Sequence, residues 1–376
     1  MKKTLRDIFF VLTVFVASRL FVAFGIFLGR KFFFFAPAFR DKFLESAWWE
    51  SLARWDAEFF IDIVVNGYHY LPDGNKHNID FFPVYPFLIK IIGYIWNASP
   101  VIIGIALSNA FFLMALFLLH RYSKKYHHDS DPDLATVLMA FFPFGVFFSS
   151  IYNESLFLFL CLSSFYLFRE GKMTAAVCAL FLTGLTRLAG LFVVAAMGLS
   201  YFSSGFLRFH KDASGTRGQE VLKPIFWVLF SASGFLLFLA YQQLSFGHWD
   251  AFIRGQEAFH RHPIGSFSAL LSEMNLDPFN IMNIIPTGAV LGTSIIFLFS
   301  KEYRLYSLWG LLVVLVPLST GTFISMTRFS MVYFPLVIYG SSLLKKMPLL
   351  RDITTMTWAS TLIVFTALFV RVYFLG

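Results

Sequence analysis

One short stretch, Arg54 to Tyr70 (RWDAEFFIDIVVNGYHY), gathers an arginine, three acids, a histidine and two tyrosines among Phe, Ile and Val. Other charges stand alone in apolar surroundings: Glu154 in IYNESLF, Arg187 in LTRLAG and Arg328 in SMTRFS. The planar fork of an arginine grips an anionic phosphate through paired hydrogen bonds. A carboxylate takes a proton from a hydroxyl nucleophile. Acids and arginines together suit transfer of a sugar from a lipid-phosphate donor to a hydroxyl. Each residue also has a plainer reading. Asp56 stands where a helix start favours an anion, and would act only as a cap. Arg54 would only anchor to headgroups, and Glu154, Arg187 and Arg328 would only snorkel from helix ends. That reading is weakest for Arg187, which has an apolar span on either side. Ionisable groups at such depth cost about 2.5–3.5 kcal/mol and usually face a polar cavity.

The elements that position these residues follow from composition. The chain has 376 residues, 57% hydrophobic, 20% aromatic and 14% charged, with 51 Phe. A soluble domain of this length could not hide so much apolar surface, so the bilayer is the solvent. The net charge of +8 is spread between apolar spans without a cluster, and no nucleic-acid partner is expected. Cys161 and Cys178 both lie in apolar runs, which argues against a disulfide or a thiolate metal site. Apolar runs fall at Ile8 to Leu28, Val101 to His120, Leu134 to Ile151, Ser155 to Phe168, Thr174 to Thr186 and Leu188 to Ser204. They continue at Pro224 to Leu244, Phe279 to Phe299, Leu305 to Leu318, Phe329 to Leu344 and Thr354 to Phe374. The expected fold is an all-α, polytopic bundle of about 11 transmembrane helices in a single membrane domain. The first run follows Lys2, Lys3 and Arg6 and reads as an uncleaved anchor rather than a signal peptide.

With the N-terminus inside, alternate loops carry Arg121, Lys124 and Lys125; Arg169 and Lys172; Arg208, Lys211, Arg217 and Lys223; Lys301 and Arg304; and Lys345, Lys346 and Arg351. All would be cytoplasmic, as the positive-inside rule asks. This parity requires Phe81 to Trp96, short and interrupted by Pro83, Pro86 and Lys90, to be interfacial or half-inserted. The loop spanning about residues 30–100, the turn Tyr152-Asn153-Glu154, and the segments at Arg187, at Phe246 to Pro278 and at Ser319 to Arg328 then lie on the extracytoplasmic side. Within the long loop, Phe59, Phe60, Ile63 and Val64 recur at helical period, predicting an amphipathic interfacial helix over Ala53 to Gly67 with Gly67 as its C-cap. Trp48, Trp49 and Trp55 suit the membrane interface.

RWDAEFFIDIVVNGY followed by FFPVYPFLIKII resembles the first-loop signature of the PIG-V type GPI mannosyltransferase family, in the GT-C class of glycosyltransferases. FFPFGVFFSSIYNESLF resembles that family's second motif, LTGLTRLAGL its Thr-Arg element and MTRFSMVYFPL its late Arg-Phe run. The matches run in order across most of the chain. Departures fall at Ala57 and Glu58 and at Leu188 and Ala189, off the charged positions of the motifs. The resemblance implies a GT-C fold with an extracytoplasmic active site and a polyprenyl- or dolichyl-phosphate donor, most often of mannose. It implies Asp56 as catalytic base, with Arg54, Trp55, Glu58, Tyr85, Glu154, Arg187 and Arg328 as candidate substrate-binding residues. The acceptor would be a glycolipid or glycan, and the membrane the plasma membrane in a prokaryote.

Two other classes carry membrane arginines and acids. A lipid-linked sugar flippase or polymerase would spread its charges through the bundle centre, whereas these cluster at one face. A secondary transporter would show paired broken helices in related halves, and the sequence has no internal repeat. Asp56, Glu58, Asp62 and Glu154 are hard oxygen ligands in type. His127 and His128 lie on the wrong side and His260 and His262 too close together for a zinc site, and no metal or other cofactor is expected. Trp249, Phe252 and Phe259 suit either a sugar ring or the interface.

Overall fold

The computed structural model describes residues 2–36, 47–209, 217–261, 270–271 and 277–375. Apolar runs become helices because hydrocarbon offers no partner for a backbone N–H or C=O outside its own segment. The helices in chain order are α1 (Lys2–Phe32), α2 (Ala57–Asn66), α3 (Val84–Trp96), α4 (Pro100–Tyr126), α5 (Pro132–Ala140), α6 (Glu154–Arg169), α7 (Met173–Gly184) and α8 (Gly190–Phe209). They continue as α9 (Arg217–Phe246), α10 (Ala251–Gly255), α11 (Pro278–Phe299), α12 (Arg304–Leu318), α13 (Met326–Met331), α14 (Pro335–Leu344) and α15 (Pro348–Val370). Among the described residues, five helices are long and apolar enough to cross a membrane, namely Thr4–Phe32, Pro100–Tyr126, Ile225–Phe246, Pro278–Phe299 and Pro348–Val370. Others are apolar but shorter, α3, α7, α12 and α14 among them. Large apolar side chains such as Phe9, Leu20, Leu229, Leu237 and Met356 point outward, a surface that lipid and not water covers.

Two expected spans are broken where proline interrupts them. Leu134 to Ile151 resolves into α5, a turn at Pro143 and a short 3₁₀ segment, Gly145–Phe148. Proline lacks the N–H that a continuing helix needs. Arg19 of α1 makes up part of the deficit, donating to the Ser149 hydroxyl at 2.5 Å and reaching the orphaned Ala140 carbonyl at 3.4 Å. Phe329 to Leu344 likewise divides into α13 and α14 at Pro335. The other expected spans fall on single helices.

The first and last of these helices run together. Gly25 and Gly29 of α1, a small-xxx-small pair, let α15 approach until a Cβ at either position would stand 2.7 Å from a backbone oxygen (Ile363 or Ala367). Basic residues assigned to alternate loops meet at one end of the bundle: Lys124 pairs with Asp7, and Lys125 with Glu170. His127 pairs with Glu302 there, and Lys345 reaches the Ser130 carbonyl. Residue Lys211 and its neighbours from 210 to 216 lie outside the described residues. The segments carrying Asp56, Glu154, Arg187 and Arg328 are at the opposite helix ends.

The amphipathic helix forms as α2, shorter than expected at its start, with Gly67 at φ 81° donating its N–H to the Ile63 carbonyl. Ala57, Phe60, Ile63 and Val64 are its buried face. Phe81 to Trp96 becomes α3, too short to cross a bilayer unaided.

Candidate active site

The four motifs converge on the tripeptide Tyr152-Asn153-Glu154. The Tyr152 hydroxyl donates to the Arg54 carbonyl at 3.0 Å and accepts the Asp56 N–H at 3.2 Å, fixing the turn ahead of α2. Asn153 donates to the Thr186 carbonyl at 2.8 Å, tying in the turn that carries Arg187. Glu154, with 0% of its surface exposed, accepts from Arg328 Nε at 2.7 Å and lies 2.9 Å from Arg187 Nη1. The second contact is close enough for an ion pair, although it lacks the alignment of a hydrogen bond. Arg328 Nη1 donates to Asp56 Oδ2, so one guanidinium spans two carboxylates whose residues lie in different motifs. The Arg328 guanidinium rests on the Tyr152 ring at 4.7 Å, and that of Arg187 on Phe329 at 5.2 Å.

Asp56 precedes the first residue of α2, yet its side chain makes no capping hydrogen bond. Its carboxylate turns instead toward Arg328, with 21% of the side chain exposed to a cavity of about 760 Å³. That cavity is walled by Trp55, Phe59, Phe81, Phe252 and Phe259, with Asp56, Glu58, Asp80, Arg187 and Arg328 as polar points. A mostly aromatic pocket with a few convergent charges is the usual form of a small-molecule site. Strained backbone gathers here as well. Trp55, His260, Ser325 and Val372, all non-glycine residues at φ between 57° and 63°, line this cavity. Left-handed backbone outside glycine costs energy and tends to persist at functional sites.

The candidates divide. The structure brings Trp55, Asp56, Glu58, Arg187 and Arg328 to the cavity wall, with Glu154 fully buried behind the arginines. Arg54 is buried at 2% exposure and is not among the lining residues. Tyr85 is likewise enclosed, donating at 2.8 Å to the Gly104 carbonyl with its oxygen 2.7 Å from Ser108 Oγ, so it braces α3 on α4. Asp62 is drawn away, accepting from Asn66 and Asn78 at 2.7 Å each. Among the described residues, no three His, Cys, Asp or Glu side chains converge as metal ligands would. Phe252 and Phe259 line the cavity, while Trp249 is exposed; His262 is outside the described residues. The sequence reading missed Lys76, Asp80, Gln256 and Arg261, which also line the cavity. Asp80 stands directly before FFPVYP, and that adjacency was the available signal.

The arrangement is that of the GT-C fold. ArnT from Cupriavidus metallidurans, solved bound to undecaprenyl phosphate, superposes with a TM-score of 0.50 over 94% of this chain and 62% of its own, at 12% identity. At that identity the likeness is one of fold. GPI alpha-1,6-mannosyltransferase 2 of Rattus norvegicus is 30% identical over 131 residues, 32% of this chain and 26% of the relative. The Cricetulus griseus protein of the same name is 29% identical over 197 residues, 48% of this chain and 36% of the relative. The alignments thus span about a quarter to a third of these relatives' length. The family model described as mannosyltransferase (PIG-V) matches residues 4–261, well over half of the chain and three of the four converging motifs. By that match the chain is a multi-pass membrane protein belonging to the mannosyltransferase (PIG-V) family.

Proposed function

We propose that the protein transfers mannose from a polyprenyl- or dolichyl-phosphate donor to a hydroxyl of a glycolipid or glycan, at the extracytoplasmic face and with inversion. The observation that carries the reading is the Asp56 carboxylate, turned away from its helix and into an aromatic cavity. Arg328 occupies Oδ2, which leaves Oδ1 to accept the proton of the attacking hydroxyl. Holding the carboxylate in place before substrate arrives is what preorganisation requires.

Charge supports an anionic donor. Asp56, Glu58 and Asp80 face the cavity against Lys76, Arg187, Arg261 and Arg328, so that cations outnumber acids, as suits a phosphodiester. Arg187 and Arg261 flank the Phe329 ring at 5.2 and 5.3 Å, and this pair is where the leaving lipid phosphate is expected to sit. The hydroxyl attacks the sugar C1 from the Asp56 side as the phosphate departs on the other, so the anomeric centre inverts. ArnT, the chain of similar fold, was solved with a polyprenyl phosphate. Sidedness is supported by the basic loops, which meet at the opposite end of the bundle. A plasma-membrane location follows if the host is prokaryotic.

The test is reconstitution of the full chain in lipid nanodiscs with radiolabelled mannosyl polyprenyl phosphate. Mannose should pass to octyl α-mannoside or to a cellular glycolipid fraction, with an inverted linkage by NMR. Absence of transfer to every acceptor fraction, with the donor recovered intact, would overturn the reading.

A further inference from the structure

Asp80 is used by none of the steps above, yet it has the features of a group kept for a ligand. It ends a short 3₁₀ turn, Asn78–Asp80, and lines the cavity with only 8% of its surface exposed. One oxygen is accounted for: Gln256 Nε2 donates to Asp80 Oδ1 at 2.9 Å. The other, Oδ2, is buried without a hydrogen-bond partner. A buried polar atom left unpaired is costly, and in a native protein calls for an explanation. The carboxyl is also closely packed. A Cβ on Gly255 would stand 2.5 Å from each Asp80 oxygen, so α10 ends on a glycine where the carboxyl needs room. Phe59, Phe81 and Phe259 form an aromatic wall on the same cavity, with the Phe59 and Phe81 rings stacked at 4.8 Å. A polar atom beside ring faces is the combination that receives a sugar, which presents C–H to the rings and a hydroxyl oxygen to the carboxyl.

We propose that Asp80 is a sugar-binding residue, its Oδ2 reserved for a hydroxyl of the mannose being transferred or of the glycan receiving it. This rests on the mannosyl-transfer reading and names a second contact in the same cavity. The charged and titratable groups that share this cavity with Asp80 are Asp56 and Glu58 at and on α2, Lys76 on its own loop, His260 and Arg261 after α10, and Arg187 and Arg328; the Tyr70 hydroxyl also feels the Asp80 charge. Burial, with the Asp56 charge adding to it and the Gln256 hydrogen bond opposing it, pushes the Asp80 carboxyl up to about 8. The group is therefore mostly neutral at pH 7 and donates an O–H to a sugar oxygen. The sign for stability is adverse. An acid whose folded pKa is raised costs stability as pH rises from its unfolded value, near 3.8, to about 8. A residue retained at that cost, with one oxygen idle, fits a role toward substrate better than one toward the fold.

The test uses the full chain in nanodiscs with mannosyl undecaprenyl phosphate and octyl α-mannoside. Asp80→Ala should lower kcat/KM by about 10- to 100-fold, the loss of one buried hydrogen bond, with melting unchanged or raised. Asp80→Asn, which keeps a donor at that position, should retain most activity. The wild type should lose activity as pH rises through about 8, and Asp80→Asn should lack that alkaline limb. Monodeoxy mannosyl donors and monodeoxy octyl mannosides then find the source of the hydroxyl: the wild type should reject one analogue that Asp80→Ala accepts relatively well. Wild-type kcat/KM in a folded Asp80→Ala, or an unchanged alkaline limb in Asp80→Asn, would overturn the proposal. If the wild type transfers no mannose at all, the mannosyl-transfer reading falls and Asp80 falls with it. If the wild type transfers and Asp56→Asn does not, while the Asp80 variants behave as wild type, only Asp80 is removed.

Discussion

Replacing Asp56 with asparagine separates a base from a helix cap. Asparagine caps a helix about as well as aspartate, so a residue that only capped would lose almost nothing in stability or in chemistry. Here the carboxylate makes no capping bond, so α2 should start as before in the variant. The loss is one charge-assisted bond to Arg328, at a side chain 21% exposed, while Arg328 keeps Glu154. A hydrogen bond to a charged group is worth about 1.5–3 kcal/mol, and the asparagine oxygen still accepts one, so the net cost should be about 1 kcal/mol. Against a stability of about 5–15 kcal/mol that leaves the population almost fully folded. Loss of a general base costs about 10²–10⁴ in rate, or about 3–5 kcal/mol on the barrier. Melting followed by intrinsic fluorescence and initial rates of labelled mannose transfer, on one preparation, give both numbers. Transfer near wild type in a well-folded Asp56→Asn would refute the assignment. So would a loss that only tracks the fraction unfolded.

Other outcomes follow from the same cluster. Glu154→Gln strips the shared partner from two arginines in a buried site; it should cost about 3–5 kcal/mol of stability as well as most activity, read by melting and transfer together. Arg328→Lys keeps the charge but cannot span Asp56 and Glu154 at once, so kcat should fall at least about tenfold with a smaller change in melting; an unchanged kcat would remove the bridge from the mechanism. Arg187→Lys should raise KM for the donor more than it lowers kcat, and equal donor affinity would exclude Arg187 from the phosphate site. Chelation with EDTA should leave transfer unchanged; a loss restored by a single divalent ion would show that a metal is needed.

Membrane class, most helix positions and the amphipathic helix α2 were legible because they depend on local pattern: apolar runs of membrane length, a stripe at helical period, and a glycine at Gly67. Convergence on Glu154 was not legible from the residues themselves. Arg328 lies 174 residues from it, and no periodicity reports such a pairing. The breaks at Pro143 and Pro335 were masked by strongly apolar flanks that read as continuous spans. Arg54 looked like a headgroup anchor or substrate ligand because sequence cannot show that it is enclosed beneath the turn it begins. Asp80 escaped notice for a related reason: its place before the Phe-Phe-Pro run was visible, but its environment comes from Gly255 and Gln256, far along the chain.

The glycine seam between α1 and α15 bears on how the protein is made. Gly25 meets the Ile363 carbonyl, and residues just beyond α15 complete the cavity: Phe374 packs edge-on against Trp55 at 5.0 Å, and Val372 lines the wall. Helices enter the membrane in the order of synthesis, so the chamber stays open on one side until α15 has been inserted and zipped to α1. A nascent chain holding every charged residue of the cluster would still lack a closed site. The charged cluster alone therefore does not make the chamber, whose wall is complete only with the last described helix seated on the first.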